Sequence, residues 1–284
     1  MPFFIPVAVG GLVLTALGLG VKRVLEEVAP ASPEEARVRE ARERHAEALA
    51  ALRAARLLVR EGLVAWGARQ SCVHTEVALP FRELLERLER WGHARADEVL
   101  DAGALEALRA LPPAPSARAD RRPWPLLGVG AVPPPELLPV LAWLDRGWLD
   151  EDAPPVVVDG ASLFEAAAPR DSQAPGTPDA RVRALDEAAG VLAQATRFLE
   201  ELRARLVARE ARVAALHGRA SVQLTYLDAS SFEEDGPEPR ERLLRLAALV
   251  GRLGVLLRAP VLGVDGRLAP APPESPDDEA APHT

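Results

Sequence analysis

The chain has 284 residues, 48% of them apolar and 27% charged, with a net charge of −8 and a pI near 5.3. Its arginines are interleaved with acids, which speaks against a nucleic-acid surface, because such affinity rests on clustered positive charge meeting phosphates. A single cysteine, Cys72, excludes an internal disulfide and a cysteine-rich zinc module, and the 4% aromatic content with recurrent Ala, Leu, Arg and Glu predicts an all-α fold.

Residues 3–21, FFIPVAVGGLVLTALGLGV, are nineteen positions without a charge, and as a helix they rise about 28 Å, enough to span a bilayer core. Pro6 falls in the first turn, where a missing N–H costs least, and Lys22-Arg23 close the segment. The basic residues follow the apolar run instead of preceding it, so residues 1–23 read as a single-pass transmembrane anchor and not as a cleaved signal. Continued by Arg37, Arg39, Arg42 and Arg44, the same asymmetry predicts a body on the cytoplasmic side. Phe3, Phe4, Leu12, Leu14, Leu17 and Leu19 are the expected lipid contacts. Gly11 and Thr15, like Ala16 and Gly20, stand four apart, a small-residue face that allows two such helices to approach closely.

The first helical half is expected over residues 24–111. Ser32 is placed to cap a helix opening with Pro33 and Glu34-Glu35. Val38, His45, Leu52, Val59, Trp66 and Val73 then recur every seven residues, with Ala41, Ala48 and Ala55 between them. Pro80 should end or kink this helix, and Phe81, Leu84, Leu85, Leu88 and Trp91 make a fresh helical stripe, followed by a third segment at 94–111.

Residues 112–178 are rich in proline and read as a connector. Within it, residues 136–149 predict a short amphipathic helix bearing Trp143 and Trp148, the candidate partner-binding residues. Residues 156–158 predict a brief strand before Asp159-Gly160. From 179 to 268 come a heptad helix and a C-terminal helix. Its seam is Leu185, Leu192, Leu199, Leu202, Leu206, Val213 and Leu216, continued by Ala220 and Leu227. Arg209 and Gln223 interrupt this seam and are expected to fix register or to mark looser packing. Pro237 and Pro239 open the last helix, at about 238–258, and Asp265-Gly266 predicts a turn. Residues 269–284, acidic and proline-rich, read as a disordered tail.

The two heptad helices are expected to fold back as a long antiparallel, coiled-coil-like hairpin, placing Trp66 and Val73 near Leu185 and Leu192 and Val38 near Val213 or Leu227. No catalytic, cofactor or metal constellation is legible. Cys72 and His74, two apart on a helix, point in divergent directions, and no histidine stands at metal-ligand spacing. Gly128-Val129-Gly130 lacks the rest of a nucleotide loop. The pattern therefore predicts a non-enzymatic, membrane-tethered scaffold or adaptor that meets lipid and an unidentified protein, or itself. The alternative is a membrane-perturbing effector whose glycine-rich N-terminal helix inserts on a trigger.

Overall fold

The computed structural model describes residues 32–90, 92, 102, 126–127, 134–146, 156–167, 176–229 and 237–272. The apolar run at 3–21, the segment at 94–111 apart from residue 102, and the tail from residue 273 lie outside them. The described chain is a helical bundle, α1 (Pro33–Val73), a π-helical turn (His74–Ala78), α2 (Leu79–Arg90), α3 (Leu138–Arg146), α4 (Leu163–Ala167), α5 (Pro178–Asp228) and α6 (Pro237–Arg258), with one small hairpin, β1 (Val157–Val158) and β2 (Ala161–Ser162). Among the described residues no helix is long and apolar enough to cross a membrane.

Local chemistry sets the boundaries. Glu35 donates its backbone N–H to Ser32 Oγ at 3.2 Å, while its carboxylate accepts the Ser32 N–H at 3.0 Å, a complete capping box with Pro33 in the first turn. Pro80 neither ends the helix nor leaves it regular. Having no N–H and a ring that collides with the carbonyl four residues back, it is preceded by a π turn, closed by the Leu79 N–H donating to the His74 carbonyl. In the connector, Asp159 and Gly160 both take positive φ (50° and 80°), the turn geometry that matches strand twist in a two-residue hairpin.

α1 and α5 form the main axis of the bundle, and they run parallel. Arg37 reaches Asp179 at 2.9 Å, Arg44 reaches Asp186 at 2.8 Å, Arg69 faces Glu210 at 3.8 Å and Arg87 reaches Asp228 at 2.9 Å. Successive positions along α1, and then Arg87 of α2, thus meet successive positions along α5. The expected antiparallel fold-back is corrected accordingly: Trp66 stands level with residues near Leu206, not Leu192, and Val38 stands near the start of α5, not its end. The physical reason lies in the connector. Residues 91–177 must return the chain over the length of α5, about 76 Å for its 51 residues, a distance that some two dozen extended residues already cover.

Different partners cover the two ends of this pair. α6 folds back along the far half of α5, and its C-terminal end is held by Arg209, which donates to the Ala259 carbonyl and, at 3.2 Å, to the Pro260 carbonyl. Arg205 donates to the Ala269 carbonyl. The segment after α6 thereby lies across the middle of the bundle, where Leu126 accepts the N–H groups of Val261 (2.6 Å) and Leu262 (3.1 Å). Beside the near half sit α3, the hairpin and α4. His45 Nε2 lies 2.9 Å from the Ala166 carbonyl; a carbonyl only accepts, so that nitrogen carries the proton. One continuous core joins Trp66, Phe81, Trp143, Leu192, Leu199 and Leu246.

Candidate functional site

The most chemically diverse cluster lies where α1 passes into the π turn. Cys72 and Glu76 stand four apart, so the helix brings both side chains to one face. The parallel register then sets His217 of α5 opposite them. The Cys72 sulfur, a Glu76 carboxylate oxygen and a His217 ring nitrogen all lie within 4.8 Å of one another, and His217 Nε2 is 3.2 Å from Glu76 Oε2.

The three differ in accessibility. His217 is buried, 9% exposed, Cys72 is half-buried and Glu76 is exposed. Burial pushes the Cys72 thiol above its ordinary value, and the Glu76 carboxylate pushes it further, against the opposing Arg69 guanidinium. An activated nucleophile needs the reverse, a depressed pKa, so the trio is not arranged for thiolate chemistry of its own. A thiol, a carboxylate and an imidazole converging from two elements can instead form a closed polar contact or supply three ligands to a cation.

Two buried polar neighbours on the same stretch stay apart from the cluster. Gln70 and His74 find no side-chain hydrogen-bond partner among the described residues. Burial, reinforced by Arg82, holds His74 below the usual imidazole range. Cys72 therefore meets Glu76 and His217, and not His74.

The seam residues Leu185, Leu192, Leu199, Leu202, Leu206, Val213 and Leu216 are all buried. Arg209, at a seam position, is also buried, and its charge serves the carbonyls that end α6 instead of the α1 contact. Trp143, one of the two candidate partner-binding residues, is 1% exposed and forms part of the core. Trp148 lies outside the described residues, as do Phe3, Phe4, Leu12, Leu14, Leu17 and Leu19 and the pairing positions Gly11, Thr15, Ala16 and Gly20. Sequence reasoning missed the Cys72, Glu76 and His217 cluster. Half of its signal, the i, i+4 pair of Cys72 and Glu76, is visible in the sequence, but His217 joins only through the register of α1 against α5.

No protein-family model, curated protein or solved structure matches the chain.

Proposed function

We propose that this protein is a membrane-tethered helical scaffold that acts through protein–protein contacts, with residues 3–21 as its anchor. The parallel pairing of α1 and α5 carries the reading. Both long helices begin at the same end, and only ten residues, 22–31, separate that end from the apolar run. A rod about 76 Å long, built this way, holds its far end at a set distance from a bilayer. Leu57 and Val64, seven apart on α1 and 52% and 63% exposed, offer apolar side chains along the outside of the rod.

The test is fractionation of cells expressing the full chain, followed by an alkaline carbonate wash. A tethered scaffold remains in the pellet from synthesis onward, and removal of residues 1–23 releases a helical body. A substantial soluble pool of full-length chain that enters vesicles only on a trigger would replace this reading with the membrane-perturbing effector. Cross-linking in the native membrane, followed by purification, then identifies the partner or a second copy.

A further inference from the structure

We infer that Cys72, Glu76 and His217 bind one divalent cation of the zinc class, which clamps the α1 and π-turn junction to α5. The inference stands independently of the membrane reading.

The donor set selects the metal. Thiolate sulfur, imidazole nitrogen and carboxylate oxygen are together the ligands of zinc and its first-row neighbours, whereas calcium and magnesium call for oxygen alone. The spacing is within reach of such an ion. Tetrahedral bonds of about 2.0 to 2.3 Å place ligand atoms about 3.3 to 3.8 Å apart, and these three already lie within 4.8 Å, with His217 and Glu76 at 3.2 Å. Closing the remainder asks the ligand atoms to approach by about 1 to 1.5 Å. On binding, the thiol gives its proton to solvent and the thiolate and carboxylate together balance the dication. Arg69, the nearby cation, has Glu210 to face at 3.8 Å. Three protein ligands on a half-exposed rim leave the fourth position open to water.

The experiment is titration of the reduced, chelator-treated, full-length chain with Co²⁺, in mild detergent throughout. One equivalent should bring up the near-ultraviolet thiolate-to-cobalt charge-transfer absorption and the visible bands of a tetrahedral ion, and Zn²⁺ should displace them. Cys72→Ser should abolish the charge-transfer band. His217→Gln and Glu76→Gln should weaken binding by more than about tenfold, while His74→Gln should leave it unchanged. Because Glu76 is exposed, its variant retains the fold even if the other two do not, and circular dichroism verifies this. Absence of the charge-transfer band in the parent chain would overturn the site and leave three polar side chains in close proximity. So would binding unaffected by Glu76→Gln and His217→Gln, or binding lost in His74→Gln.

Discussion

The Arg44 guanidinium holds the Asp186 carboxylate through both its Nε and Nη2 atoms, the shorter contact being 2.8 Å, at a sequence separation of 142. At the other end of the rod Arg87 meets Asp228 across 141. A register that drifts by one residue over the whole pair means two helices running in the same direction without slip. Exposed pairs of this kind contribute only about 0 to 1 kcal/mol each, so they report the register more than they stabilise it.

Cross-linking checks that direction. In a Cys72→Ser background, cysteines at Arg37 and Asp179 should join within one chain through a short bis-maleimide, and so should cysteines at Arg87 and Asp228. Cysteines at Arg37 and Asp228 should not, since about 74 Å of helix separates Asp228 from the level of Arg37. A product from this last pair within single chains would restore the hairpin.

Charging the seam should disrupt the pair. Leu199 and Leu206 are fully buried between the helices, and Leu206→Asp should cost about 3 to 5 kcal/mol, the scale of an uncompensated buried charge. Arg203→Asp, on the exposed side of α5, should cost under about 1 kcal/mol. Urea midpoints of the two variants decide, and equal values would dismiss the seam.

Arg209 is the one buried charge in that seam, and burial together with Arg205 and Arg212 pulls its pKa below the usual guanidinium range. Its hydrogen bonds to the carbonyls ending α6 offset that cost. Arg209→Met should therefore lower stability by about 2 to 3 kcal/mol, as expected for hydrogen bonds from a charged donor. Faster amide exchange should appear at Val261, Leu262 and Ala269, whose N–H groups are bonded in the segment that Arg209 fixes. Unchanged exchange there would mean the segment is held by its apolar residues alone.

Two glycines isolate backbone conformation from packing. A Cβ at Gly160 or at Gly190 meets nothing within 4 Å, but Gly160 sits at φ 80° and Gly190 within α5. Gly160→Ala should thus cost about 1 to 2 kcal/mol, whereas Gly190→Ala should gain up to about 1 kcal/mol. Thermal unfolding of the two variants should move in opposite directions, and a common direction would count against the turn geometry.

The elements were legible in the sequence where the signal is local. Ser32 and Glu35 announce the start of α1, the seven-residue recurrence from Leu185 announces α5, and Val156 to Val158 before Asp159-Gly160 announce the first strand, though not its pairing with Ala161–Ser162. Direction was not legible, because an a and d pattern reads alike in parallel and antiparallel pairs, and a connector as long as residues 91–177 reaches either end of the rod. The charges held the missing information: Arg37 with Asp179 and Arg44 with Asp186 share one separation, though many other Arg and acid pairs in the sequence do so without meeting. His217 was hidden for the same reason. In an antiparallel pair it would face the beginning of α1, far from Cys72 and Glu76.

The parallel arrangement also orders events during synthesis. An antiparallel hairpin can close as soon as its second helix emerges beside the first, but α1 faces a partner about 140 residues later in the chain. At about 5 to 20 residues per second, Leu52, Val59 and Trp66 remain without their seam for roughly 7 to 28 s after leaving the ribosome. For that interval the apolar residues of α1 have no seam to cover them, so the long connector sets a delay during which this segment should be exposed to proteolysis. Chains arrested before residue 178 should be readily proteolysed within α1, and chains arrested after α6 has emerged should resist.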